Sequence, residues 1–104
     1  MNSVVAEVKI VPIGTATTGL SKYVAACVDT LKRAQGVDYQ LTAMGTIIQG
    51  PLEKVLTVVR QMHEVPFSMG ARRVVTYIDI DDRRDKVATM AGKVEAVVRA
   101  GHKG

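Results

Sequence analysis

The chain has 104 residues, the length of one domain with a single core. A hydrophobic share of 47% excludes a disordered chain, and no apolar run approaches the ~20 residues that a membrane span needs. The net charge of +4 comes from 14 basic residues scattered among 10 acidic ones, so Arg72-Arg73 and Arg83-Arg84 read as ordinary charged surface rather than a nucleic-acid footprint.

Aromatic residues make up 4% and tryptophan is absent. The core must therefore be built from Val, Ile, Leu, Ala and Met. The single cysteine, Cys27, excludes an internal disulfide and a cysteine zinc site. Met1-Asn2-Ser3 lacks the charged start and apolar block of a signal peptide. Together these features lead us to expect a soluble, cytoplasmic protein.

Residues 3–11 read as a strand, with Val4, Ala6, Val8 and Ile10 on one face and Glu7 and Lys9 on the other. Pro12 and the segment from Gly14 to Gly19 read as a loop. A helix is expected from about Ser21 to Ala34, capped by the Ser21 hydroxyl. Leu20, Val24, Cys27, Val28 and Leu31 form its apolar stripe, and Gly36 ends it. Tyr39 to Ala43 and Thr46 to Gln49 read as a hairpin about Gly45. Gly50-Pro51 marks the next helix start, with proline at the first helical position. Its stripe is Leu52, Val55, Leu56, Val59 and Met62. Pro66 predicts a kink or an early end. Residues 72–80 read as a fourth strand. Asp82 is placed to cap a third helix, with Asp85 near its positive end. Val87, Met90, Ala91, Val94, Val97 and Val98 make that helix's stripe, and residues 101–104 read as a frayed tail.

The order β-α-β-β-α-β plus a C-terminal helix defines an α+β fold of the ferredoxin-like type in one domain, 1–104. Right-handed crossovers give an antiparallel sheet with two helices on one face. The other face would carry Val5, Glu7, Lys9, Val11, Val75, Tyr77 and Asp79. That is too apolar for water alone, and the third helix also lacks a partner. A homo-oligomer is therefore expected.

This topology gathers Gly14-Thr15, the hairpin Met44-Gly45-Thr46 and Gly70 to Arg73 at one end. Asp79, Asp81 and Asp82 fall at the other. Threonine hydroxyls both donate and accept, and glycine lets a ligand approach the main chain. These groups suit a small polar heterocycle, although on spacing alone plain turn residues explain them too.

Other constellations are weaker. Gly14 to Gly19 lacks the Gly-Lys-Ser/Thr ending of a phosphate loop and the spacing of a dinucleotide fingerprint. Asp79-Ile80-Asp81-Asp82 resembles a cation loop, but arginines stand where an oxygen ligand and a glycine are needed. A strand end and a helix cap explain those acids better. His63 at the edge of a helical stripe reads as a packing histidine, His102 lies in the tail, and Cys27 reads as an inert core thiol. No nucleophile, base and orienting acid come together. RNA-recognition motifs share this topology but stack bases on aromatic residues of the central strands. Here Val4 to Val11 and Thr46 to Gln49 contain none.

The segments Ile10-Val11-Pro12-Ile13-Gly14-Thr15, Ser21-Lys22-Tyr23-Val24, Tyr39 to Thr46, Gly70 to Val74 and Ile80 to Arg84 together resemble the small thiamine-binding protein family, in order and over essentially the whole chain. The sequence departs from that pattern at Pro66. The resemblance implies binding of thiamine or its hydroxymethylpyrimidine part, without catalysis, by homodimers or homotetramers. It places the family's two threonines on Thr15 and Thr46. The candidate ligand site is thus Gly14, Thr15, Tyr23, Met44, Gly45 and Thr46, with Tyr23 or Tyr39 available for stacking. Arg72 and Arg73 would oppose a thiazolium charge, whereas a phosphate ester or the pyrimidine alone would not meet that objection. No separate cofactor, metal, nucleic-acid partner or membrane partner is expected. The competing reading is an oligomeric regulatory or scaffold domain that binds another small phosphorylated metabolite.

Overall fold

Alternation along the first strand decides which way the sheet faces. Val4, Ala6 and Val8 are almost fully buried, while their neighbours are only partly covered. A computed structural model describes residues 3–16 and 18–102. The elements are β1 (Ser3–Ile13), α1 (Ser21–Arg33), β2 (Asp38–Leu41), β3 (Thr46–Pro51), α2 (Leu52–Ser68), β4 (Arg73–Asp81) and α3 (Met90–His102). The strands form one antiparallel sheet in the order β2-β3-β1-β4. The ferredoxin-like arrangement expected from the element order is the one observed.

The core lies between the sheet and α1 and α2. Val4, Ala6, Val8 and Ile48 meet Cys27 and Leu31 from α1, and Val55, Val58, Val59 and Met62 from α2. Each of the larger side chains stabilises the fold by roughly 1.5–3 kcal/mol through burial. The α2 stripe is shifted from the expected one: Val58 faces the core, while Leu56 is exposed. The helix begins at Leu52, one residue late, because Pro51 is still the last residue of β3.

Three further boundaries differ from the sequence reading. β1 runs through Pro12 to Ile13 rather than stopping at Val11. Ser21 is the first helical residue of α1 and caps nothing; the Leu20 carbonyl accepts from the Tyr23 and Val24 N–H groups. The third helix starts at Met90 rather than after Asp82. Its expected caps are already engaged, because Arg84 holds the Asp82 carboxylate and Arg83 that of Asp85. These pairs draw both carboxyls below their ordinary pKa. Thr89 does the capping instead, its hydroxyl accepting from Gly92 N–H at 2.9 Å. The Gln49 side chain accepts from Met90 N–H at 2.8 Å and ties the helix start to β3. Residues 101–102, expected to fray, close α3, and Lys103 and Gly104 lie outside the described residues, as does Thr17 of the first loop.

Pro66 sits inside α2, which ends two residues later at Ser68. Proline has no N–H, so the Met62 carbonyl one turn earlier loses its helical donor. The buried Cys27 thiol points at that carbonyl, 3.5 Å away. This weak bond pins α1 to α2 where the proline would otherwise leave a buried acceptor bare.

α3 reaches away from this body. Val94, Val97 and Val98 are exposed, as is Val87 before the helix. The radius of gyration is 15.3 Å, against about 13 Å for a compact domain of this length. No helix among the described residues is long and apolar enough to cross a membrane.

Packing is tightest where β3 passes the turn after α1. A Cβ added at Gly50 would stand 2.9 Å from the Gly36 carbonyl oxygen and 2.9 Å from Val37 Cγ1. Gly50→Ala is therefore expected to cost about 1–3 kcal/mol. It would appear as a lower urea midpoint with an unchanged slope; an unchanged midpoint would show that this turn yields freely.

Candidate functional site

β1 is longer than its neighbour on one side. β4 pairs with it as far as Ile13, but β3 starts at Thr46, opposite Val8. Beyond Val8 the sheet has a notch on the β3 side. α1 and α2 roof it, and the β2–β3 hairpin closes its side. The result is a cavity of about 350 Å³, within the range of small-molecule sites, roughly 300–1,000 Å³.

The lining is mostly apolar. Val8, Lys9, Ile10 and Val11 come from β1, Leu20 and Val24 from the start of α1, and Leu41 from β2. Cys27 and Met62, the pair joined through the Met62 carbonyl, also line it. The hairpin contributes Thr42, Ala43, Met44, Gly45 and Thr46. Among these residues Lys9 alone is charged, and it lies 3.9 Å from Glu7 on its own strand.

The two threonines of the hairpin differ. The Thr42 hydroxyl is consumed by the turn: it donates to the Gly45 carbonyl at 2.8 Å and accepts from the Met44 and Gly45 N–H groups. Thr42 N–H also donates to Gly45 O, so the hairpin is locked from both sides. Thr46 is 6% exposed. Its hydroxyl makes no hydrogen bond with the described residues and stays accessible at the cavity wall. A hydroxyl at a cavity wall can exchange water for a bound polar group, a net gain of about 0.5–1.5 kcal/mol.

Of the expected site residues, the structure brings Met44, Gly45 and Thr46 into one cavity. Gly14 and Thr15 lie beyond the end of β1, and Tyr23 lies on α1; these three are outside the lining. Arg72 and Arg73 are also outside it, with Arg73 pairing with Ile13 at the far end of the strand. The sequence reading assigned Cys27, Met62 and Ile10 to the core alone. The available signal was Pro12, since a proline within a strand marks an edge.

The other chemistry-bearing groups are tied into structure. Asp81 pairs with Lys93 of α3, and Asp82 with Arg84. His63 Nδ1 lies 2.6 Å from the Thr76 hydroxyl and packs edge-on against Phe67. Among the described residues no cluster of His, Cys, Asp or Glu is arranged to hold a metal ion. A larger groove between α1 and α2 is lined by side chains of both signs, including Arg33, Lys54, Glu53 and Glu64.

Fold and cavity define a ferredoxin-like α+β domain with a small, mostly apolar pocket at a gap in its sheet. The chain belongs to the thiamine-binding protein family, whose model matches residues 6–98. UPF0045 protein YqgV of Bacillus subtilis is 47% identical over 96 residues, covering 89% of this chain and 92% of that protein. The crystal structure of protein MJ1052 from Methanocaldococcus jannaschii matches with a TM-score of 0.86 at 34% identity, over 93% of this chain and 97% of the other. A Thermotoga maritima structure, provisionally assigned to thiamine biosynthesis or salvage, matches with a TM-score of 0.74 at 21% identity, over 91% and 98%. At that identity the last likeness concerns the fold.

Burial pushes the Cys27 thiol up to about 11. The thiol stays protonated in the folded protein, whereas in the unfolded chain it ionises near its ordinary value of 9.0. Its contribution to stability is thus full below pH 9 and is lost as pH rises through 11. A denaturation series should show this decline, and Cys27→Ala should flatten it. Equal slopes in both proteins would show that the thiol takes no part.

Proposed function

We propose that this protein binds thiamine or its hydroxymethylpyrimidine moiety, without catalysis, as a homo-oligomer. The observation that carries the reading is an apolar cavity of about 350 Å³ with the Thr46 hydroxyl at its wall, engaged in no hydrogen bond with the described residues. A 4-aminopyrimidine is a flat ring with donors and acceptors on its rim. The apolar walls from Leu20, Val24 and Met62 suit its faces, and the Thr46 hydroxyl suits its rim. Membership of the thiamine-binding family supports the same ligand class. The absence of an acidic residue from the lining favours the neutral pyrimidine as the buried part, with any charged portion directed outward.

Binding rather than catalysis is supported by how the titratable groups are placed. Cys27 is held protonated, and the acids Asp81 and Asp82 are paired outside the cavity. Self-association is supported by the exposed valines of α3 and by Tyr77, which is 58% exposed on the outer sheet face. Light scattering at micromolar concentration should give a multiple of the chain mass; a monomer would remove this part of the proposal.

Calorimetry with thiamine and with the free hydroxymethylpyrimidine should show saturable binding. Thr46→Val, which keeps the shape and removes the hydroxyl, should weaken it about tenfold, as expected for one buried hydrogen bond. No heat and no thermal shift at millimolar ligand would overturn the assignment. A thermal shift with an unrelated phosphorylated metabolite alone would replace it with the regulatory reading.

A further inference from the structure

Pro12 is the clue to what else the notch offers. A proline in a strand paired on both sides would break a ladder, yet Pro12 lies within β1 and is buried. The direction of the main chain explains why it is tolerated. A Cβ added at Gly45 would lie 3.1 Å from the Val8 carbonyl oxygen, so that carbonyl faces β3. In an extended antiparallel strand each residue directs its N–H and C=O to the same side, and the side alternates. Ile10 and Pro12 therefore also face the β3 side, where no strand continues past Thr46. Pro12 lacks a donor at a place where no ladder requires one.

Ile10 does have a donor. By that alternation its N–H and C=O point away from β4, toward the side where pairing with β3 has ended at Val8 and Thr46. Ile10 lines the cavity together with Thr46, whose hydroxyl makes no hydrogen bond with the described residues. Three hydrogen-bonding groups thus converge on one apolar space: a main-chain donor, the adjacent main-chain acceptor and a hydroxyl. Unpaired main-chain groups on a strand edge are a template for an added strand. Here the hairpin and α1 leave room for something much smaller.

We infer that the Ile10 main chain is the recognition edge of this site. It takes a planar heterocycle in which a ring nitrogen adjoins an exocyclic amino group. The ring nitrogen accepts from Ile10 N–H, the amino group donates to Ile10 C=O, and Thr46 serves a second substituent. The ligand then adds one rung to the sheet where β3 is missing. This assignment rests on the pyrimidine-binding reading above and goes further by naming the atoms that discriminate. An analogue lacking the amino donor would leave a buried carbonyl bare, a stronger basis for rejection than lost apolar contact.

The test uses the intact chain in its native assembly, followed by amide NMR and calorimetry. The probes are 4-amino-5-hydroxymethyl-2-methylpyrimidine and the analogue with a methyl in place of the amino group. With the amino compound, the Ile10 amide proton should move downfield and its exchange with solvent should slow about tenfold or more. The methyl analogue should bind about tenfold more weakly. If the Gly45 and Thr46 amides respond while Ile10 does not, or if the two compounds bind equally, the edge assignment is overturned and the site itself stands. If no cavity amide responds to either compound at millimolar concentration, both fall.

Discussion

The candidate site of this domain depends on a mismatch of strand lengths. β1 spans 11 residues and β3 spans 6, and they are aligned at the end where Ser3 meets Pro51. The remaining length of β1 has to run past the end of its neighbour. On its other side β4 follows it to Ile13, so the overhanging part stays extended rather than fraying. A strand held straight by one neighbour and abandoned by the other leaves polar main chain facing an empty slot. Pro12 is compatible only with such an edge. The cavity is a consequence of the register of the sheet, and any shift of β3 along β1 would close it or move it.

The roof of the slot is fixed by a second proline. Pro66 leaves the Met62 carbonyl without its helical donor, and the Cys27 thiol takes up the position. Cys27 and Met62 both line the cavity. The device that joins α1 to α2 is therefore part of the wall. A weak S–H donor suits this place: it satisfies the carbonyl without adding a strongly hydrated group to an apolar surface. A serine at the same position would offer a stronger bond but would also compete for the polar rim of a bound ring.

Much of the fold was legible from periodicity alone. Alternation at Val4, Ala6 and Val8, and helical spacing at Cys27, Leu31, Val55, Val59 and Met62, are direct imprints of burial. The start of α3 was not, because Asp82 and Asp85 have the chemistry of helix caps and only the structure shows Arg84 and Arg83 occupying them. Thr89, which does cap, offers a hydroxyl that accepts as a carboxylate can, but a threonine is a less conspicuous signal than paired acids. In the site, the hairpin residues Met44, Gly45 and Thr46 were legible because turn chemistry located them. Ile10 was hidden for a physical reason: the role proposed for it lies in its main chain, and an isoleucine in a strand pattern signals only its side chain. The length mismatch could be read only once the register was known.

The charge of the chain and the charge of its pocket point in different directions, and the difference bears on ligand choice. The excess of cations is spread over the surface, and the acids near the β4–α3 connection are neutralised by Lys93, Arg83 and Arg84. The cavity keeps one cation, Lys9, with Glu7 close beside it. A thiazolium ring pressed into these apolar walls would meet no compensating carboxylate, and burying an unpaired charge costs far more than burying a paired polar group. A neutral aminopyrimidine meets no such penalty, and Ile10 and Thr46 are the groups proposed to meet its rim. On the proposed reading, the pyrimidine supplies the selectivity of this site, and whatever is attached to it is accommodated at the mouth, where solvent can carry the charge.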